Sequence, residues 1–135
     1  MPLYDLKLEV RPGYLFARVE GHEDNVGISL GYWREIAGAL QAAKLKRVLV
    51  FECLKSASNP VATFEVASRL AELGFRGVTI AFVDAELDHL PDNLFGENVA
   101  RNRGIHGRVF NNVALAQKWM EDLVARDARV GGDES

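Results

Sequence analysis

The sequence predicts an α/β fold, a single-layer, mostly parallel five-stranded sheet with an N-terminal antiparallel hairpin and four helices. Three observations support this prediction. Residues 48–51 and 78–83 are continuously apolar, which is typical of strands covered on both faces. Residues 6–19 alternate between apolar and polar around Pro12-Gly13, which indicates a hairpin. Between the strands, apolar residues recur every three or four positions, the period of a helix.

The hairpin and the first helix come first along the chain. Apolar residues occupy alternate positions from Leu6 to Val10 and again from Leu15 to Val19, so each strand should be half buried. A helix is predicted between Val26 and Lys44. Its apolar side consists of Ile28, Tyr32, Ile36, Leu40 and Ala43.

The stretch from Arg47 to Asn59 is the centre of the predicted fold. Its apolar residues, 48–51, form the central strand, and a polar turn from Glu52 to Asn59 follows. Open α/β sheets usually meet ligands and partners at the carboxyl ends of their strands. This turn is therefore the first place to look for a functional site.

The turn leads into a second helix. Asn59 can cap it, Pro60 suits the first helical position and Gly74 suits its C-terminal end. The remaining predicted elements are a strand at 78–83, a helix at 92–103, a strand at 108–110 and a helix that begins after Asn111. The resulting order, β-β-α-β-α-β-α-β-α, calls for right-handed crossovers between parallel strands.

We expect a single domain at residues 1–125 and a disordered C-terminal tail at 126–135, where the sequence turns polar and Gly-rich. A chain of 135 residues is long enough to bury a core. No apolar run approaches the roughly 20 residues of a membrane-spanning helix. One cysteine excludes an internal disulfide and, with no signal peptide, favours a cytoplasmic location.

The charge of the chain argues against one class of partner. The formal net charge is −3, whereas proteins that bind nucleic acid through its phosphates need a basic face. A metal site is not expected either, because His22, His89 and His106 lie in separate loops without the spacing of metal ligands.

The order of elements and three local segments point to a known family. The segments are Phe95–Gly104, Arg108–Asn112 and the final helix with Trp119. Together with the serine-bearing turn before the second helix, they resemble the SpoIIAA-like branch of the STAS domain family, whose founding members are bacterial anti-sigma-factor antagonists. The resemblance covers about residues 4–124.

This resemblance implies a non-enzymatic regulatory module that binds proteins and needs no cofactor. The implied partner is a regulatory kinase or an anti-sigma-like factor, and a homodimer is a further option. Some members of the family are phosphorylated on a serine at the start of the second helix, which by position is Ser56 or Ser58 here. A simpler reading is that both serines only cap the helix or stabilise the turn.

Cys53 directly follows the central strand, where a thiolate near a helix N-terminus could act as a nucleophile. A phosphatase-like loop would have arginine at the sixth position after the cysteine, but that position is Asn59. An inert, packed cysteine is therefore the preferred reading.

The third predicted helix carries two amides. On a helical wheel, Asn98 and Asn102 share the arc of Leu94, Phe95 and Val99, which predicts that they face the protein. They then either bond the backbone of neighbouring loops or line a pocket together with Arg101. The candidate surface for a partner or ligand consists of Glu52, Cys53, Lys55, Asn59, Asn98, Arg101 and Asn102.

Two functional hypotheses follow from the sequence. The first is a regulatory protein-binding module of the STAS type, switched by phosphorylation at the start of the second helix. The alternative is a domain that binds or senses a small ligand, such as a nucleotide, a lipid or an anion. An enzyme that uses Cys53 ranks third.

Overall fold

A computed structural model describes residues 3–57 and 59–134, with side chains described up to residue 129. Its elements are β1 (Asp5–Arg11), β2 (Tyr14–Glu20), α1 (Val26–Ala43), β3 (Arg47–Cys53), α2 (Pro60–Arg69), β4 (Thr79–Asp84), α3 (Leu90–Arg101), β5 (His106–Phe110) and α4 (Val113–Glu134). Two short turns complete them, a π-helical turn at Ala71–Phe75 and a 3-10 turn at Leu87–His89.

The five strands form one sheet in the order β1-β2-β3-β4-β5. β1 is antiparallel to β2, and β2 to β5 are all parallel. The predicted α/β fold with its mixed sheet is therefore confirmed. Val48 to Phe51, predicted to be the central strand, lie in β3 at the middle of the sheet.

The two faces of the sheet carry different layers. One face packs against α1, α2 and α3, with Val48, Val50 and Ile80 in its core cluster. The opposite face packs against α4, where Leu49 and Ala81 contact Met120 and its neighbours. Successive residues of β3 and β4 alternate between these two layers, which explains why both runs are apolar throughout.

Local signals set the helix ends. Asn25 and Asn59 are the N-caps of α1 and α2, where their side chains accept hydrogen bonds from the backbone N–H groups of Ile28 (2.9 Å) and Ala62 (3.1 Å). Pro60 is the first residue of α2, as predicted. Gly74 has a φ of +106°, a backbone conformation that favours glycine.

Several boundaries differ from the sequence prediction. Helix α4 continues to Glu134, beyond residue 126 where the sequence predicts the start of a disordered tail. Its last residues extend a helix that is already formed, which costs less than starting a new one. Helix α3 begins at Leu90 and ends at Arg101, two residues earlier than predicted at each end.

Strand β1 is less covered than its alternating pattern predicts. Leu8 is 43% exposed and Val10 is 66% exposed, although both lie on the face of the sheet that packs against α1, α2 and α3. The reason is that β1 is an edge strand, and α1 reaches only the end near Leu6, which packs against the core.

The described part of the chain contains no helix that combines the length and the apolar character needed to cross a membrane.

Candidate functional site

A cavity of about 660 Å³ lies between the sheet and helices α1, α2 and α3. Its apolar walls come from both the sheet and the helices. They include Trp33, Val66, Ala67, Leu70, Ile80, Phe82, Ala100 and Ile105. Polar side chains gather where β3 and β4 end, and they include Asp24, Ser29, Tyr32, Glu52, Asp84 and His89.

The strands themselves place two carboxyl groups at the polar end of the cavity. Glu52 and Asp84 are register partners near the carboxyl ends of β3 and β4. Because side chains alternate along a strand, Glu52 lies on the same face of the sheet as Val50, and Asp84 on the same face as Phe82. This is the face that packs against α1, α2 and α3. Both residues are buried, with exposures of 6% and 5%.

Asp84 is held by several hydrogen bonds. Its Oδ2 accepts from Asn93 Nδ2 at 3.1 Å and lies 2.9 Å from Nδ1 of His89. Its Oδ1 accepts from the backbone N–H of Glu86 at 2.9 Å. A buried carboxyl group needs such partners, and this network provides them for both oxygens of Asp84.

The His89 ring connects Asp84 to the polar turn after β3. Its Nε2 lies 2.7 Å from the carbonyl oxygen of Ser56, while Nδ1 faces Asp84. The carbonyl oxygen of Ser56 can only accept, so Nε2 carries a proton, and the carboxyl group of Asp84 favours a second proton on Nδ1. Burial alone lowers the pKa of His89, but the hydrogen bonds to Ser56 and Asp84 outweigh burial and raise it.

Glu52 has a different environment from Asp84. The hydroxyl group of Tyr32, itself a buried residue of α1, donates a hydrogen bond to Oε2 of Glu52. Burial, reinforced by the nearby charge of Asp24, raises the pKa of Glu52 to about 8. Glu52 therefore carries a proton at neutral pH.

A third carboxyl group reaches the site from the loop before α1. Asp24 accepts a hydrogen bond from the Ser29 hydroxyl at 2.7 Å. Burial raises the pKa of Asp24, and the hydrogen bond from Ser29 opposes that shift. The polar end therefore combines one ion pair, Asp84 with His89, and two further acids.

The helix N-termini around the site are already occupied by the protein's own acceptors. Asn25 caps α1 and Asn59 caps α2. Asp92, in the first turn of α3, accepts a hydrogen bond from the backbone N–H of Asn59 at 2.8 Å. The positive ends of these helix dipoles thus face acceptor oxygens rather than an open anion site.

Some residues predicted from the turn after β3 lie at the site and others do not. Ser56 lines the cavity and bonds His89 through its carbonyl, although the residue as a whole is exposed. Lys55 is exposed. Ser58, the other candidate for phosphorylation, falls outside the described residues.

Cys53 is directed away from the cavity. It follows Glu52 in β3, so alternation places it on the opposite face of the sheet. Burial raises the pKa of the Cys53 thiol, whereas an activated nucleophile requires a lowered one. The structure thus favours the inert reading of this cysteine.

The prediction that Asn98 and Asn102 face the protein is wrong. Both are exposed, as is Arg101, and none of the three lines the cavity. The helical wheel assumed that Leu94 and Phe95 mark the buried side of α3, but they are 43% and 42% exposed.

Helix α3 packs instead through its small residues. Its buried residues are Val99 and Ala100, and a Cβ at Gly96 would lie 2.9 Å from Thr63 of α2. Arg101 donates to the carbonyl oxygen of Gly107 at 3.0 Å and lies 3.7 Å from Glu97. Arg101 and Glu97 are therefore an ordinary pair four residues apart on α3.

Sequence reasoning did not single out Asp24, Tyr32, Asp84 or His89. One signal was available for Asp84. Each of the two apolar runs is followed by an acid, and strand alternation puts both acids on the same face of the sheet as Val50 and Phe82. His89 gave no such signal, because it reaches the site from a loop 33 residues away from its partner Ser56.

The described residues contain no group of three or more His, Cys, Asp or Glu side chains arranged to hold a metal ion. Every fully buried side-chain nitrogen or oxygen among them has a hydrogen-bond partner. The site is therefore a satisfied polar network beside an apolar cavity.

Comparison of the sequence with models of known families finds no match, and comparison with curated proteins finds none either. The resemblance to the STAS family stays a prediction.

Proposed function

We propose that the chain is a non-enzymatic domain that binds a small, mostly apolar molecule whose polar end donates hydrogen bonds or carries a positive charge. The observation behind this proposal is the cavity of about 660 Å³, with apolar walls and one acidic end. Ligand sites in proteins commonly have volumes of about 300–1,000 Å³ and combine apolar walls with a few polar groups.

The size of the cavity supports an occupant. Protein cores are normally close packed, with few voids larger than a water molecule. This cavity is partly open to solvent, so it does not stay dry. In solution the cavity must hold water or a ligand, and its apolar walls favour the ligand.

The polar end supports a donor or a cation rather than an anion. Asp24 and Asp84 contribute acceptor oxygens, and the ring of His89 already pairs with Asp84. The N-termini of α1 and α2 are capped by Asn25 and Asn59. A phosphate or carboxylate would therefore place its oxygens against the acceptor oxygens of Asp24 and Asp84, which argues against nucleotides and anionic lipids.

The geometry also supports binding without reaction. His89 is the usual kind of general base, but both of its ring nitrogens are engaged, with Asp84 and with Ser56. A base must have a free nitrogen within reach of the substrate proton. Cys53 faces away from the cavity, so it supplies no nucleophile there.

A matched ligand series tests this proposal. Decylamine, decanol and decanoate share one chain and differ in the polar end. We expect the amine and the alcohol to raise the melting temperature and the carboxylate to leave it unchanged, since a ligand bound only to the folded state stabilises it. Trp33 lies in the cavity wall and Trp119 does not, so a Trp119→Phe background gives a fluorescence readout of binding.

Two variants of α2 control this experiment. Val66 lines the cavity, whereas Val61 is 77% exposed. Val66→Phe should reduce the ligand-induced shift, and Val61→Phe should preserve it. Equal shifts in both variants, or no shift with any member of the series, would contradict the proposal. Binding of decanoate as tight as that of decylamine would contradict the assigned polarity.

A second candidate function is the protein-binding module that the STAS resemblance implies. An exposed apolar surface on α2 and α3 favours it. The rings of Phe64 and Phe95 stack at 6.5 Å and are 45% and 42% exposed, beside Val61 and Leu94. Surface patches of this kind often mark interaction sites.

This second candidate predicts a partner that depends on the aromatic pair. Pull-down from cell lysate should return the same specific protein with the wild type and with Leu115→Ser, at an exposed residue of α4, and lose it with Phe64→Ser/Phe95→Ser. Phosphorylation of Ser56 or Ser58, which the resemblance implies, would be detected in the same material by mass spectrometry. Retention of the partner by the double variant would contradict a role for this surface.

A further inference from the structure

The open edge of β1 is the feature that the proposed function does not use. In the part of the chain that the structure describes, β2 is the only strand paired with β1. The strand has seven residues, contains no proline, and pairs with β2 without interruption from Asp5 to Arg11. Five of the seven residues are exposed. Natural proteins usually protect such a long, regular edge.

The hairpin determines which backbone groups point outward. The pair that closes its two-residue turn is Arg11 with Tyr14, and such a closing pair exchanges both of its hydrogen bonds. Because hydrogen-bonded and non-hydrogen-bonded pairs alternate, the backbone groups of Leu6, Leu8 and Val10 face away from β2. These groups form an unpaired ladder along the edge.

The side chains along this edge complement a copy of themselves. The sequence of β1 is Asp-Leu-Lys-Leu-Glu-Val-Arg, in which the charges alternate in sign around the central Leu8. In an antiparallel pairing centred on Leu8, Lys7 lies opposite Glu9 of the second copy, and Asp5 lies opposite Arg11. The two-fold symmetry repeats each pair, which gives four opposite-charge pairs and no like-charge pair.

We propose that two copies of this chain associate through antiparallel pairing of their β1 strands, centred on Leu8, to form a continuous ten-stranded sheet. The charged residues occupy the non-hydrogen-bonded positions of this pairing, where opposing side chains come closest. The outward backbone groups of Leu8 bond those of Leu8 in the second copy. The contact is isologous, as in most protein dimers.

The apolar side of β1 supports the same register. Leu8 is 43% exposed and Val10 is 66% exposed. In the proposed pairing, Leu8 faces Leu8 of the second copy, and Val10 faces Leu6. Cross-strand apolar pairs stabilise a sheet, so association covers side chains that a single copy leaves in water.

Two features of the monomer bear on the proposed pairing of β1 with β1. Arg11 already forms an ion pair with Glu9 at 3.1 Å, but exposed pairs of this kind contribute little and exchange readily. The other edge strand, β5, lacks the complementary pattern. Its charged residue is Arg108 at the centre, so the equivalent pairing would oppose two arginines.

Charge reversal tests the proposed register. Light scattering should give wild-type protein a mass of twice 14.9 kDa. Lys7→Glu and Glu9→Lys each create two like-charge pairs, so each variant alone should raise the dimer Kd by roughly tenfold to a hundredfold. The double variant Lys7→Glu/Glu9→Lys restores opposite charges and should recover the dimer.

Mixing the two single variants gives the sharpest result. The Lys7→Glu chain carries acids at both positions 7 and 9, and the Glu9→Lys chain carries lysines at both. Each acid meets a lysine in the heterodimer, so a 1:1 mixture should dimerise although neither component does so alone. A folding defect cannot produce this rescue.

A matched control places the same charge change elsewhere. Lys118→Glu lies on α4, away from β1, and should dimerise like the wild type. A monomeric wild type at millimolar concentration, or no rescue in the mixture, would overturn the proposal.

Discussion

Glu52 and Asp84 lie opposite each other on adjacent parallel strands, and both are buried on the side of the sheet that carries the cavity. Two negative charges in such neighbouring buried positions would repel strongly. The structure avoids this by different means at the two positions. The His89 ring compensates Asp84, whereas Glu52 keeps its proton and accepts a hydrogen bond from Tyr32.

The first prediction concerns the pH dependence of stability. The pKa of Glu52 is about 8 in the folded protein and about 4.3 in an unfolded chain. Folding therefore binds this proton more tightly, and its stabilising contribution is full below pH 4.3 and lost as the pH rises to 8. Glu52→Gln removes this loss and accepts the same hydrogen bond from Tyr32.

Urea unfolding of both proteins between pH 4 and pH 9 measures the effect. Relative to the wild type, Glu52→Gln should gain about 1.4 kcal/mol of unfolding free energy per pH unit between about pH 4.3 and pH 8, and no more above pH 8. Glu23→Gln, at an exposed acid near the start of α1, should show no such gain. Parallel stability curves for Glu52→Gln and the wild type would contradict the protonated state assigned to Glu52.

The second prediction concerns His89. Asp84→Asn removes a hydrogen-bonded negative charge from Nδ1, so the pKa of His89 should fall. A pKa that is raised in the folded state contributes stability at low pH, and this contribution is lost as the pH rises through that pKa. The free energy of unfolding of Asp84→Asn should therefore fall less over this pH range than that of the wild type. Titration of the His89 ring by NMR measures the pKa directly. The exposed neighbour Asp88 supplies the control, because Asp88→Asn makes the same charge change.

The third prediction compares two glycines within helices. A Cβ at Gly38 of α1 meets nothing within 4 Å, so Gly38→Ala should raise the free energy of unfolding by about 0.5–1 kcal/mol. A Cβ at Gly96 of α3 lies 2.9 Å from Thr63, a stiff β-branched side chain. Gly96→Ala should therefore lower stability by about 1 kcal/mol. Equal gains from both substitutions, measured by urea unfolding, would show that α2 and α3 do not pack closely at Gly96.

The fourth prediction concerns the only thiol. The raised pKa of Cys53 leaves little thiolate at pH 7, so iodoacetamide should label the folded protein several-fold more slowly than the urea-unfolded protein. Mass spectrometry of timed samples gives both rates, and no other cysteine interferes. Labelling of the folded chain faster than that of the unfolded chain would reopen the enzyme hypothesis.

The fold could be predicted because its signals are local. The apolar runs that became β3 and β4 stand out in the sequence, and Asn59-Pro60 marks the start of α2. Strand β1 shows that local signals do not reveal where a strand lies in the sheet. Its alternation is real, but the exposure of Val10 depends on which strand ends the sheet, and that is a property of the whole arrangement.

The sequence could predict where the site lies but not which side chains form it. The carboxyl end of β3 was the right place, and Glu52, Ser56 and Asn59 all line the cavity. Its chemistry depends on side chains brought together from distant segments, such as Asp24 and His89. Asn98 is exposed because α3 packs on α2 at Gly96 and buries Val99 and Ala100 rather than Leu94 and Phe95.

The strand order also has a consequence for synthesis on the ribosome. Since neighbours in the sheet are neighbours along the chain, each new strand adds to the growing edge and none has to insert between two earlier ones. The cavity walls extend from Asp24 to Val109, so nascent chains released before that point cannot enclose it. Fragments that hold only β1 to β3 therefore lack part of the cavity wall.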